Sequence, residues 1–313
     1  MKIRLLDLLC CPYCGGFPLH LQKECQGEIL EGSLVCSACG MVYPITRGVP
    51  RMTNDRGVES FSREWTLFHK TQLDSVSGTN ESLKAFATKT GFNLADMNNK
   101  LVLDAGCGSG RYMETSLNQG AEVVGIDSSL AVDASYANLG GHSKAHIVQA
   151  DINKLPFADE TFDYIFSLGV LHHTPNTRVA FSCLPKLLKP KGQIAVWIYS
   201  AEGNAQKVYN LVSDIYRVFT TKLSFNAAFS VAKMLACVYP LKRVLVVGRV
   251  VALLLPSSDH PDKEWRVLDN FDWYTARYQW KHTYREVERW FEECGLEYRK
   301  LPIHVSVWGE KHG

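Results

Sequence analysis

Two cysteine pairs, Cys11-Pro-Tyr-Cys14 and Cys36-Ser-Ala-Cys39, have the spacing that lets both thiolates of a pair reach one tetrahedral metal ion. Gly15 and Gly40 follow them, where the chain must turn tightly beneath the metal. The 21 residues between the pairs slightly exceed the usual separation, which a hairpin loop absorbs. The pattern predicts structural zinc. A redox dithiol is the competing use of the motif, but four thiolates leave no open coordination position. Cys10 and Cys25 lack partners at ligand spacing and are expected to be free.

A second constellation begins at Leu101-Val-Leu-Asp-Ala-Gly106-Cys-Gly108-Ser-Gly110, an apolar strand that ends in an acid and a glycine turn opening a helix. A dinucleotide fingerprint needs a third glycine at position 111, and Arg111 stands there. Asp104, so close to the turn, repels a pyrophosphate and accepts well from a cationic ligand. S-adenosylmethionine, with its ammonium and sulfonium, fits better than NAD. Asp127, at the next strand end, is placed to accept both hydroxyls of a ribose. At the third strand end Asp151 can accept from an adenine amino group while Ile152 packs on the base. An acid at one strand end is often only solvated; three at consecutive ends, in order, point to one ligand.

Gly169-Val-Leu-His172-His173-Thr-Pro175 follows the fourth strand, at the edge where open parallel sheets keep their ligands. His172 and His173 are both candidates for a general base, against a purely structural turn. A polar and aromatic cluster, Asp272-Trp273-Tyr274 with Tyr278 and His282, is expected to line an acceptor pocket. The competing reading is that these rings only anchor a neighbouring helical segment.

The elements that must position these groups follow from hydrophobic period. Apolar runs at Leu101 to Ala105, Glu122 to Ile126, His146 to Ala150, Tyr164 to Leu168 and Gln193 to Tyr199 alternate with stretches of helical composition. That order predicts a parallel sheet covered on both faces. Residues 201–283 depart from the alternation and are read as a helical insertion with an acceptor-pocket segment; residues 284–313 resume it with a helix from Tyr284 to Cys294 and two closing strands, the last expected to be antiparallel. Residues 53–98 read as a connector with a helix around Phe61 to Lys70. There is no internal repeat.

Residues 99–200 resemble the S-adenosylmethionine-binding core of class I methyltransferases of the type 11 group. That resemblance implies that Asp104, Gly106, Gly108 and Gly110 form the turn under the methionine portion, and that Asp127 holds the ribose and Asp151 with Ile152 the adenine. It further implies that Ser167 and Leu168 contact the cofactor through backbone, and that Lys191-Gly192 is the turn before the fifth strand. Residues 1–52, with Tyr43-Pro-Ile45 and Gly48-Val-Pro50, resemble the small zinc domain that activates tRNA and release-factor methyltransferases in trans. The expected fold is α/β: a Rossmann-like class I methyltransferase sheet with a helical insertion, preceded by a zinc ribbon.

Composition bounds the partners. In 313 residues, 46% are hydrophobic and 21% charged, an ordinary globular balance. Lys plus Arg number 34 against 32 Asp plus Glu, so net charge gives no footprint for a polyanion. The leading expectation is therefore a small-molecule or glycan acceptor. The alternatives are an RNA methyltransferase that uses the ribbon to hold substrate, and a non-catalytic scaffold. Six of the ten cysteines fall in the first 39 residues with no secretory pattern before them, which suggests a reducing cytoplasm. No span from Val231 to Leu255 is uncharged for long enough to cross a membrane, since Lys233, Lys242, Arg243 and Arg249 interrupt it. Leu241 to Leu255 is read as a lid or core helix ahead of a dimer face or a membrane-surface helix.

Overall fold

A computed structural model describes residues 1–22, 27–53 and 67–313. Most of the helix expected around Phe61 to Lys70, and the thiol of Cys25, lie outside them.

Four short antiparallel strands, β1 (Leu19–Leu21), β2 (Gly32–Cys36), β3 (Val42–Thr46) and β4 (Val49–Pro50), form an N-terminal sheet in simple sequential order. The second sheet has seven strands: β5 (Leu101–Ala105), β6 (Glu122–Asp127), β7 (Ala145–Gln149), β8 (Phe162–Leu168), β9 (Leu188–Trp197), β10 (Leu296–Lys300) and β11 (Ser306–Lys311). Their order is β10-β11-β9-β8-β5-β6-β7. Every residue of β5 and β7 is buried, so neither strand shows an apolar and polar alternation, and the buried polar groups Asp104, His146 and Gln149 sit among apolar neighbours. β5 pairs in parallel with β6 on one side and β8 on the other, so the chain reverses its winding at β5 and leaves a crevice over the strand ends. β11 runs antiparallel to β9, as expected of the last strand.

Lys191 and Gly192 do not precede the fifth strand as expected. They lie within β9, beside a register shift opposite Phe162 and Tyr164, with Lys191 at φ 62°. The bulge lets the strand begin earlier than its apolar run.

Helices α1 (Glu81–Thr90), α2 (Arg111–Asn118), α3 (Ala131–Leu139) and α4 (Thr177–Ser182) accompany the sheet. Between β9 and β10 lie α5 (Asn204–Thr220), α6 (Phe225–Ala236), α7 (Leu245–Leu254) and α8 (Lys263–Thr275). α6 presents Ala228, Ala232 and Ala236, four residues apart, to Val267, Leu268 and Phe271 of α8; small side chains on one stripe let the two helices approach closely. α7 is neither core nor cavity wall: Leu245 and Val246 are 90% and 78% exposed. Among the described residues no helix is long and apolar enough to cross a membrane. The closing helix α9 (Tyr284–Glu293) starts with a capping box, Thr283 accepting from the Glu286 amide and Glu286 accepting from the Thr283 amide, and stops before Gly295 at φ 66°.

The small sheet does not dangle. The Met52 amide donates to Gln149 O at 2.8 Å, the Cys10 amide to Pro156 O at 2.9 Å, and Arg51 pairs with Asp133 at 2.5 Å. Leu5, Leu9, Ile29 and Ile45 share one buried cluster with Val124, Ile126 and Val148 of the large sheet. The ribbon thus covers the β7 edge, which a free parallel sheet would expose as unpaired backbone.

Candidate functional site

A cavity of about 910 Å³ opens over the carboxyl ends of the parallel strands. Crossing the sheet, its wall passes from Asp151 and Ile152 after β7, to Asp127 at the end of β6, to Gly106 and Gly108 after β5, to Leu168 and Gly169 at β8, and to Trp197 and Tyr199 at β9. Its size suits a nucleoside cofactor beside a second planar group.

Asp127 is fixed by three donors: the Gly108 amide at 3.1 Å, the Ser129 amide at 2.9 Å and the Ser129 hydroxyl at 2.7 Å. Burial raises its pKa, and those hydrogen bonds oppose the rise. Asp104 is buried beneath the glycine turn, and its Oδ2 has no hydrogen-bond partner. Burial, then the Asp127 charge, holds this carboxyl well above the usual carboxylate range. A second carboxyl held so close to Asp127 ionises fully only beside a positive charge, so this floor suits a cationic ligand and opposes a pyrophosphate. S-adenosylmethionine fits that donor set. Asp151 Oδ1 accepts from the Asn153 amide and side chain, both at 2.9 Å, and its carboxylate faces the cavity beside Ile152.

Three residues expected at the cofactor do not line the cavity. Asp104 lies beneath it. Ser167 is buried and donates its hydroxyl to Ala105 O at 2.7 Å, tying β8 to β5. Gly110 faces α3: with φ 94°, a Cβ there would sit 2.6 Å from Leu139 Cδ1, so helix packing by itself requires glycine.

The opposite wall belongs to α8 and the segment after it. Trp265, Leu268, Asp269, Asp272 and Trp273 line the cavity at spacings of three, four, seven and eight residues, one face of a helix. Tyr274 therefore points elsewhere, and its hydroxyl donates to Pro256 O at 2.6 Å. His282 is also absent from the wall: it bridges to Ser200, and its Nε2 shares a 3.0 Å hydrogen bond with Thr177 Oγ1. Both were expected in the acceptor pocket; Tyr274 instead braces α8 against Pro256 and Thr220 within the insertion, and His282 holds the insertion to the sheet. Tyr278 does line the cavity.

The two histidines separate. His172 is fully buried behind the wall, its ring stacked on Tyr199 with centroids 3.8 Å apart and its Nδ1 accepting from the Tyr199 amide at 3.4 Å. Burial, with neighbouring positive groups, holds it well below the usual histidine range, and it does not reach the cavity. His173 does. Its Nδ1 lies 2.8 Å from the Tyr278 carbonyl, which only accepts, so the proton sits on Nδ1 and the Nε2 lone pair lies 3.9 Å from Asp272 Oδ1. The other Asp272 oxygen accepts from the Tyr199 hydroxyl at 3.3 Å.

Sequence reasoning missed several cavity residues. Trp197 and Tyr199, two apart at the end of β9, share a face by strand alternation, and Trp265 and Asp269 share the helical face of Asp272; both patterns were available. Lys89, in a polar connector, gave no signal.

At the ribbon, the sulfurs of Cys11, Cys14, Cys36 and Cys39 all lie within 4.8 Å of one another, with Cys11 to Cys39 at 3.7 Å and Cys14 to Cys36 at 3.6 Å. Four sulfurs about 2.3 Å from a tetrahedral zinc sit some 3.8 Å apart, so the set fits that ion. A Cβ at Gly16 would come 2.7 Å from Cys36 Sγ, so the chain passes the cluster without a side chain.

Residues 103–196 match the family described as methyltransferase domain, and residues 2–48 match the family described as Trm112p-like protein. The tRNA U34 carboxymethyltransferase of Shewanella sediminis is 42% identical over 121 residues, which is 37% of this chain and 36% of that protein. The enzyme of the same name from Nautilia profundicola is 29% identical over 139 residues, 42% of this chain and 46% of its own. The chain thus spans less than half the length of these relatives. Among solved structures, a complex of the Haloferax volcanii Trm112 methyltransferase activator with a methyltransferase gives a TM-score of 0.46 at 14% identity, covering 81% of this chain and 98% of that one. The expectation of a small-molecule or glycan acceptor gives way here, because the relatives act, by name, on tRNA. The near-neutral net charge that argued against nucleic acid is a sum over the chain and does not describe the charge at one cavity.

Proposed function

We propose, for a chain that joins a Trm112p-like domain to a methyltransferase domain, that it transfers a methyl group from S-adenosylmethionine to a base of RNA, with tRNA as the acceptor to test first. The observation that carries this reading is the tRNA acceptor named for relatives that match at up to 42% identity over 121 residues. The cavity supports it physically. Beyond the strand ends assigned to the cofactor, the aromatic residues Tyr199, Trp273 and Tyr278 line the cavity, and Asp272 adds a carboxylate. A base taken out of its stack is held in this way, between aromatic faces and against polar groups that read its edge. The cytoplasm is the compartment that suits such an acceptor.

The bound cofactor supplies an electrophilic methyl whose carbon–sulfur bond breaks to leave a neutral thioether. The protein's task is then mainly alignment. Where the acceptor atom carries a proton, His173 is the base the cavity offers, and its Nε2, enclosed beside Asp272, must turn towards the acceptor to take it. The Tyr278 carbonyl keeps the tautomer that makes this possible, and Asp272 stabilises the imidazolium that forms. Asp127 takes the ribose hydroxyls and Asp151 with Ile152 the adenine. The ribbon acts in cis: through Met52 and Arg51 it holds the β7 edge that carries this adenine end.

Incubating the zinc-replete chain with methyl-labelled S-adenosylmethionine and either tRNA or ribosomal RNA tests the reading. Label that ribonuclease releases is the expected result. A folded chain that binds the cofactor yet labels no RNA overturns it.

A further inference from the structure

Of the three Lys and Arg side chains that line the cavity, Arg277 is exposed, whereas Lys89 and Arg111 are half-buried with no carboxylate in contact among the described residues. Lys89, in the last turn of α1, places its Nζ 3.5 Å from the centre of the Trp197 ring and 3.5 Å from the Tyr112 hydroxyl. Its position is fixed from behind, where the Ser306 hydroxyl donates to Lys89 O at 2.6 Å. Arg111 opens α2, with its guanidinium 4.8 Å from the ring centres of both Tyr112 and Trp265 and its Nε donating to Ser82 Oγ at 2.9 Å. Among the described residues neither cation forms an ion pair within 4 Å, unlike Arg51 and Lys242; Arg266, also without one, is instead saturated by the carbonyls of Ala236, His260 and Pro261, a set that Lys89 and Arg111 lack. Burial lowers the Lys89 pKa, the Tyr112 hydroxyl and the more distant Asp269 carboxylate oppose this, and the Arg111 charge adds to it. Asp269 supplies a counter-charge across the cavity but not in contact, and two half-buried cations so placed are stabilised further by an anion that hydrogen-bonds them directly.

We propose that Lys89 and Arg111 form a carboxylate subsite that holds the amino-acid end of S-adenosylmethionine. The strand order gives the direction. Asp151 and Asp127 occupy the β7 and β6 ends, where an anion is repelled and a base and ribose hydroxyls are accepted. The glycine turn follows at β5, and Lys89 stands beyond it, over Trp197 of β9. A ligand with adenosine at one end and a carboxylate at the other matches this succession from acids to cations. Lys89 and Arg111 both sit on aromatic rings, and a cation on a ring face keeps N–H donors free for a ligand. An acceptor phosphate carries the same charge and is the other source of an anion here.

Calorimetric titration of the zinc-replete chain with S-adenosylmethionine and with 5′-methylthioadenosine, which lacks the amino-acid portion, tests the assignment. Lys89→Met is expected to weaken S-adenosylmethionine binding by about 10- to 100-fold, the scale of one charge-assisted pair, and to leave methylthioadenosine within about twofold. Lys89→Arg should restore most of the loss, and Arg111→Gln should reproduce part of it. Equal weakening of both ligands by Lys89→Met means that the lysine only packs the wall, which overturns the subsite. Unchanged S-adenosylmethionine affinity with weakened tRNA affinity gives the cations to an acceptor phosphate and overturns the cofactor assignment. A wild-type chain that binds neither small ligand removes the cofactor reading itself.

Discussion

The two walls of the cavity are built differently. On the strand-end wall the fixing bonds are local: Asp127 accepts from Ser129, two residues on, and from Gly108, 19 residues back. On the α8 wall they are remote: His173 meets the Tyr278 carbonyl 105 residues away, and Tyr199 meets Asp272 73 residues away. A parallel sheet sets its ligand groups at each strand end in turn, so the cofactor half is pre-organised by the core. The acceptor half exists only once the insertion has docked. The difference suggests that the cofactor site can be kept while acceptor chemistry is changed by altering the insertion.

If the walls are separate units, they should fail separately. The largest effect should come from zinc. Chelation, or Cys36→Ser, should release the ribbon from β7, with a loss on the order of 10 kcal/mol if this site resembles other structural zinc sites. Hydrogen exchange should then show β6 and β7 losing protection while α8 keeps it; simultaneous loss in both would show one cooperative unit. Next in size, His173→Gln should lower methyl transfer by roughly 10²- to 10⁴-fold where the acceptor must lose a proton. The cofactor dissociation constant, read by calorimetry, should stay unchanged, and a parallel fall in cofactor affinity would merge the walls. Asp127→Ala should act the opposite way, weakening the cofactor by about 10- to 100-fold through two lost charge-assisted hydrogen bonds while RNA affinity holds.

The same contrast explains what the sequence disclosed. The strand of Leu101 to Ala105 and the cavity positions of Asp127 and Asp151 were readable because an apolar run, a turn and an acid recur in order along the chain. The zinc cysteines were readable from spacing alone. Gly110 and Ser167 sit inside the same motif, yet they serve Leu139 and Ala105, contacts that no local pattern announces. Tyr274 and His282 were misplaced because the cluster from Asp272 to His282 was taken as one surface. The helical period of α8 and the bridge from His282 to Ser200 divide it. His172 and His173 are adjacent, and only the tight turn of Leu171–His173 decides which ring enters the cavity. The acceptor class was misjudged because it was inferred from charge summed over the whole chain.

The smallest effect concerns a histidine behind each wall. His172 lies behind the acceptor side, and His146 lies in β7 with its Nε2 3.0 Å from Glu122 Oε1. Burial lowers the pKa of both; for His172 nearby positive groups add to it, whereas for His146 the Glu122 charge opposes it. A histidine kept neutral in the fold but free to protonate near 6.5 when unfolded stabilises the protein fully above that pH, and the contribution is lost as pH falls below it. Each such group contributes a slope of at most about 1.4 kcal/mol per pH unit. Denaturant melts between pH 7.5 and 5.5 should therefore show falling stability, provided zinc is kept saturating. His172→Gln should flatten the acid side more than His146→Gln, since Glu122 already stabilises the protonated form of His146 in the fold. If His146→Gln flattens it equally or more, then His172 takes up its proton in the native state, which requires its ring to open towards solvent. The wall of Tyr199 and Trp273 would then be a moving one, and the separation between a rigid cofactor side and a docked acceptor side would have to include that motion.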